Sequence, residues 1–157
     1  YNTLILAWAK SKNPSALKAA EKVLRDMLTT SDDTARSIQP NAATIGTMLD
    51  LYARINSKAS IAKAETLEKS MDGLNVKKNS HVFSALQDVY LKSGRRDAPQ
   101  KIMAVLEEMI REYSLGSTMA RPTIANFNNL FCQLCMDTLF IVTIFGLIYS
   151  LTSDIEM

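Results

Sequence analysis

Cys132-Gln133-Leu134-Cys135 is the pattern in this chain whose residue types and spacing most directly suggest a reactive centre. Two thiolates so placed hold zinc or cycle through a disulfide. Zinc needs two further ligands, and the rest of the 157-residue chain offers no cysteine and a single histidine, His81. A redox pair of this kind stands beside a βαβ pattern, which is absent. The pair reads better as two small apolar residues on a helix. The sequence has no glycine-rich phosphate loop, no serine nucleophile elbow and no cluster of histidine with acids. It therefore points away from an enzyme, a metal, a cofactor or a small-molecule substrate. What it does carry is recognition chemistry, because the cations Lys10, Arg54 and Lys92 recur at matching places.

Composition bounds the scaffold that must position such groups. At 47% hydrophobic and a net charge of +2, the chain can bury a core and is unlike a disordered segment. Five glycines and four prolines are few for an all-β sandwich. Two cysteines do not make a disulfide scaffold. Residues 1–123 hold all 18 basic groups and 13 of the acids, a net +5, whereas 124–157 hold no base and three acids. The chain opens at Tyr1 inside a hydrophobic pattern and reads as a piece of a longer protein, so a targeting segment upstream would not be visible.

Self-similarity supplies the organisation. Tyr1–Ser11, Ile45–Ile55 and Phe83–Ser93 align without gaps. Their shared columns are Tyr1/Ile45/Phe83, Leu4/Met48/Leu86, Trp8/Tyr52/Tyr90 and Lys10/Arg54/Lys92. Leu17–Met27, Ile61–Met71 and Pro99–Met109 form a second gapless set, with columns Val23/Leu67/Val105 and Met27/Met71/Met109. The offset from the first column to the methionine is always 26, while successive units are displaced by 44 and 38. Length varies between units and not within them, as expected of packed hairpins joined by exposed loops. Phe127, 44 residues after Phe83, opens a fourth unit.

Each segment has helical spacing: Ile45, Met48, Leu49 and Tyr52 fall at i, i+3, i+4 and i+7. The breaks Asn13-Pro14-Ser15, Asn56-Ser57 and Gly94-Arg95-Arg96-Asp97 are stop and start signals. Asp97 is the expected N-cap of its helix, with Pro99 in the first turn. One hairpin cannot bury its apolar face alone, but stacked hairpins can. The expected fold is all-α, an α-solenoid of antiparallel helical hairpins over residues 1–135. Its units run about 1–41, 42–79, 80–123 and a partial 124–135, followed by an apolar tail, 136–157. The aromatic and methionine columns read as packing, and Arg95-Arg96 as a solvated turn.

Tyr1-Asn2-Thr3-Leu4-Ile5, Ala7-Trp8-Ala9-Lys10-Ser11 and Ala20-Glu21-Lys22-Val23-Leu24-Arg25-Asp26-Met27 resemble the pentatricopeptide repeat family. Phe127-Asn128-Asn129-Leu130-Phe131 with Leu134-Cys135 resembles the start of the same motif. The first repeat is the closest match, and the units exceed the family's usual period, with Leu28–Thr44 and Ile110–Asn126 as long connectors and extended hairpin turns. The tetratricopeptide pattern would place Leu-Gly after the first-helix tryptophan, and none of the three first helices has it.

The resemblance implies a right-handed superhelix that binds single-stranded RNA, one base per repeat. It places base-reading side chains at Asn2, Gly46, Ser84 and Asn128, with partners Asn41, Asn79 and Thr123 just before the next repeat. Asn128 has no partner within a readable repeat. An amide presents both donor and acceptor to a Watson–Crick edge. Asn2 with Asn41 resembles a pyrimidine-reading pair, whereas serine at the first position, as in Ser84, leans to purines. Gly46 departs from the pattern, having no side chain to offer. The resemblance further implies base stacking by Ala43, His81 and Ala125, and phosphate contact by Lys10, Arg54 and Lys92. A cation in the last turn is equally what the helix dipole favours, so both readings of that column stand. Organelle RNA processing, stability or translation in a mitochondrion or chloroplast follows from the family. The alternative is a tetratricopeptide-like scaffold that takes a peptide on its concave face.

Thr138–Leu151 is a run of 14 residues without a charge. A membrane span needs about 20, and extending the run backwards meets Asp137. A tail helix, a membrane anchor and translated non-coding sequence all fit. The abrupt end of the repeat pattern favours the last of these.

Overall fold

The computed structural model describes residues 1–11, 13, 15–29 and 39–134. These residues form seven α-helices: α1 Asn2–Lys10, α2 Ala16–Thr29, α3 Ala42–Ile55, α4 Lys58–Gly73, α5 Ser80–Ser93, α6 Ala98–Ser114 and α7 Ile124–Leu134. One 3-10 turn, Thr118–Ala120, lies before α7. Among the described residues there is no strand, and the fold is all-α. Cys135 and the tail 136–157 lie outside them. No described helix is long and apolar enough to cross a membrane.

Local chemistry sets the helix boundaries. Asn41 caps α3 through a capping box with Thr44, and Ser57 caps α4 through one with Ser60. The Asn79 side chain accepts from the Val82 amide at the start of α5. Asn56 ends α3 and Gly94 ends α5, both in the left-handed conformation. Asp97 stands at the N-cap of α6, as the sequence suggests, although its side chain makes no cap bond and instead takes Arg95 at 2.6 and 2.8 Å. Arg95 and Arg96 are exposed, and Arg95 also reaches Glu65 of α4 at 3.1 Å. One expectation needs correction: the hairpin turns are not all extended, since two residues join α3 to α4.

The helices lie in two rows. Helices α1, α3, α5 and α7 each pack on the next of that row. Helices α2, α4 and α6 pack on their own hairpin partner and on the following first helix, and α2 meets α4 through the Lys63–Glu21 ion pair at 2.8 Å. A single core cluster runs through both rows from Ile5 to Leu130. Met27, Met71 and Met109 are buried in it, as are Tyr52 and Tyr90. Ile45, Phe83, Met48 and Leu86 are all 0% exposed, yet their counterparts Tyr1 and Leu4 are 53% and 48% exposed. The cause is positional: α2 covers those columns on α3 and α4 covers them on α5, while no described helix covers α1 in this way.

Polar groups tie the rows together. The Tyr90 hydroxyl donates to Glu68 of α4 at 3.3 Å, and the Glu21 carboxylate of α2 faces the Tyr52 phenol. Burial first, and the facing carboxylates second, push both phenols well above their ordinary value. Lys78, on the connector before α5, bridges Glu68 at 3.1 Å and Glu108 at 2.8 Å. Burial opposes its charge, but the Glu108 hydrogen bond and the two carboxylates outweigh burial and raise its pKa. The pH consequence has one sign. The native phenols stay protonated while those of the unfolded chain ionise near their ordinary 10.0, so stability is flat through neutral pH and falls above about pH 10. Loss of the Lys78 ammonium acts in the same direction at still higher pH. Denaturant melts between pH 8 and 11 check this, and the pair Tyr52→Phe and Tyr90→Phe should flatten the upper part of the profile.

Candidate nucleic-acid interface

Packing of first helix on first helix creates three junctions at the same register, each bringing the second residue of one repeat pattern to the opening turn of the next helix. At the α1–α3 junction the Asn2 amide donates to Asn41 Oδ1 at 3.4 Å. The Thr44 hydroxyl donates back to Asn2 Oδ1. At the α5–α7 junction Ser84 and Thr123 meet through a third residue, Asn126. The Asn126 amide donates to Ser84 Oγ at 3.0 Å and to Gln87 Oε1 at 2.9 Å. Its Oδ1 accepts from the Thr123 amide and hydroxyl at 2.9 and 2.7 Å. At the α3–α5 junction Gly46 is buried, and the His81 ring lies against it with Nε2 2.9 Å from Asp50 Oδ2.

The structure thus brings Asn2 to Asn41 directly and Ser84 to Thr123 through a bridge. It does not pair Gly46 with Asn79 by any side-chain bond. Asn2, Asn41, Ala43, His81, Thr123, Ala125 and Asn128 are exposed, and Asn79 and Ser84 are half-buried. Asn41 and Asn79 also have a plain structural duty, because each spends its Oδ1 on a helix N-terminus. That leaves the Nδ2 donor of each turned to other use. The two duties can be separated by substitution. Asn79→Ala should cost about 1 kcal/mol of stability by removing the cap, whereas Asn79→Ser keeps a capping oxygen and should stay within a few tenths of the parent in urea melts.

The cations sit in the last turns of the same helices, about 12 Å along the axis from the junction residues at 1.5 Å per residue. Lys10 and Arg54 border one open cleft floored by Ala16, Leu17 and Leu51. Among the described residues neither is ion-paired, while Lys92 reaches Asp88 at 3.4 Å. Along α3 and α5, Asp50 and Asp88 stand between the junction residues and the cations; Asp50 meets His81 Nε2 at 2.9 Å and Asp88 meets Lys92 at 3.4 Å. The face therefore presents amides and hydroxyls at one end, cations at the other and hydrogen-bonded carboxylates between them. It can hold an extended anion with hydrogen-bonding edges. Among the described residues no group of three His, Cys, Asp or Glu side chains could hold a metal ion.

Three residues that complete the junctions are Thr44, Asn126 and Asp50. Asn126 was legible in principle, because it occupies the column of Thr44 and Val82, where an amide is out of place beside an apolar core. No protein-family model matches the chain, and neither a curated protein nor a solved structure matches it.

Proposed function

We propose that this chain is a pentatricopeptide-like α-solenoid that binds single-stranded RNA along the opening turns of α1, α3, α5 and α7, and that it serves organelle RNA processing, stability or translation. The observation that carries the reading is that two of the three residue pairs assigned to base reading by the resemblance meet at the same register of successive first helices, Asn2 with Asn41 directly and Ser84 with Thr123 through Asn126. Asn2 with Asn41, and Ser84 with Thr123, present polar atoms at the same register of successive helices. Lys10, Arg54 and Lys92 then track the phosphates, with release of counterions. The contribution of each stacked base is about 1–3 kcal/mol before the strand's ordering cost, so the expected affinity is weak.

Fluorescence anisotropy with single-stranded oligonucleotides across a salt series tests the reading. Affinity should fall as salt rises, with a logarithmic slope of about −0.7 per contacted phosphate. Lys10→Ala should make that slope shallower by about the same 0.7. Asn2→Ala should weaken binding at every salt concentration and leave the slope alone. A peptide-binding scaffold would respond to neither change, and that outcome would return the chain to the tetratricopeptide-like alternative.

A further inference from the structure

The RNA-binding reading leaves one surface without a use: the cleft between the α1–α2 turn and the last turn of α3. It measures about 360 Å³ and is bordered by Lys10 and Arg54. Ala16, Leu17, Leu51 and Ile55 line it. Ala16 and Leu51 are buried, Leu17 is half-buried and Ile55 is 41% exposed. The floor is thus aliphatic and open to an incoming group. A phosphodiester would meet the two cations and leave that floor bare.

The charge of the cleft has a local cause. Leu6, Asp50 and Asp88 share one column of the repeat, four residues before Lys10, Arg54 and Lys92. An acid at i pairs readily with a base at i+4 on a helix. On α5 it does so, and Asp88 meets Lys92 at 3.4 Å. On α3 Asp50 takes His81 Nε2 at 2.9 Å instead, and among the described residues Arg54 is left without an ion pair. On α1 the column holds Leu6, so Lys10 has no acid to meet there. Two cations therefore border the cleft, and none of the described residues lining it is acidic.

We infer that this cleft docks a segment of a partner protein that carries one aliphatic side chain flanked by carboxylates. The aliphatic group lies against Leu17, Leu51 and Ile55, and the carboxylates meet Lys10 and Arg54. Protein partners are held in this way, by an apolar centre inside a polar rim, and opposite charge guides their encounter. The site is at the far ends of α1 and α3 from the junction residues, about 12 Å along the axis. A phosphate chain that reaches the same two cations competes with the peptide. Asp50 and His81 are positioning residues, since their bond keeps Asp50 off Arg54.

Selection of a displayed random-peptide library against the full chain, followed by fluorescence anisotropy of the enriched peptides without RNA, tests the site. Enriched sequences should hold one leucine, isoleucine or valine among aspartates or glutamates. Replacing that aliphatic residue by alanine should weaken binding about tenfold. Lys10→Ala and Arg54→Ala should each cost about two- to fivefold, as for an exposed ion pair. Arg54→Glu should abolish binding, because it sets like charges opposite each other. His81 does not line the cleft, yet His81→Ala should weaken binding about two- to fivefold, since Asp50 then turns to Arg54. Adding Asp50→Asn to His81→Ala should restore it, which a general loss of structure would not allow. Enriched peptides without acids, or equal binding by Arg54→Glu, overturn the inference. A library that yields no binder overturns it too, and leaves both cations to phosphate if RNA binds. Failure of RNA to bind leaves the peptide site standing.

Discussion

Phe83→Ala lowers the free energy of unfolding by about 3–5 kcal/mol, the range for deleting a large aromatic from a packed core. Among the described residues Phe83 has the greatest volume of the fully buried side chains, and it is 0% exposed. It lies in the first turn of α5, the helix that packs on α3, α4, α6 and α7. The Lys78 ammonium stands 5.8 Å from its ring centroid, held there by Glu68 and Glu108. Removing the ring opens a cavity at the centre of both rows and takes away one wall of an ionic cluster. Phe83→Leu should cost less, about 1–2 kcal/mol, since most of the volume remains. Urea melts followed by circular dichroism measure both. The midpoint should fall with the slope unchanged, as for a loss of stability and not of compactness. A cost below about 1 kcal/mol for Phe83→Ala would mean that α5 does not join the hairpins into one core.

Asn126→Val should cost about 2–3 kcal/mol, for a different reason. Asn126 and Gln87 are both 0% exposed. Asn126 donates to Gln87 and Ser84 and accepts from Thr123, while the Gln87 amide donates to the Asn126 carbonyl at 3.4 Å. Among the described residues no buried side-chain nitrogen or oxygen lacks a partner. Valine would fit the volume but would leave Gln87 Oε1 buried with its donor gone and free the Thr123 hydroxyl from its bond. The preceding junction shows how to repair it. Leu49 and Val82 occupy the columns of Gln87 and Asn126, and both are buried apolar residues. The double substitution Gln87→Leu with Asn126→Val should therefore recover most of the loss, giving a coupling of about 1–2 kcal/mol between the two sites. Simple additivity of the two single changes would contradict the account of a matched amide pair.

These two residues also show what spacing reveals and what it hides. The Phe83 column is legible, because a large apolar residue recurs at each unit start and period 3.6 selects helices over strands. The same arithmetic makes the all-helical fold legible from Ile45, Met48, Leu49 and Tyr52. The capping role of Asn41 and Asn79 is partly legible: they read as small polar residues suited to opening a helix, but the capping box with Thr44 depends on a hydroxyl three residues on. Gln87 and Asn126 are harder. A lone glutamine in a helical pattern looks like surface, and its burial emerges only when the partner amide from a helix 39 residues away is opposite. Asp97 holds the N-cap place that the sequence suggests, but the pull of Arg95 on its carboxylate was not legible there. The candidate site is mixed in the same way. The contact of Asn2 with Asn41 follows the placement that the family resemblance gives. The seating of His81 on Gly46 does not, because a missing side chain carries no sign of which neighbour fills its space.

The most direct measurement is photocrosslinking of the full chain to single-stranded RNA carrying 4-thiouridine, with the attached residues mapped by mass spectrometry. The account predicts crosslinks clustered in three opening turns, at residues 41–46, 79–84 and 123–128, together with Asn2, and none on the second row α2, α4 and α6. Crosslinks confined to that second row, or RNA that attaches nowhere while a peptide ligand does, would contradict it.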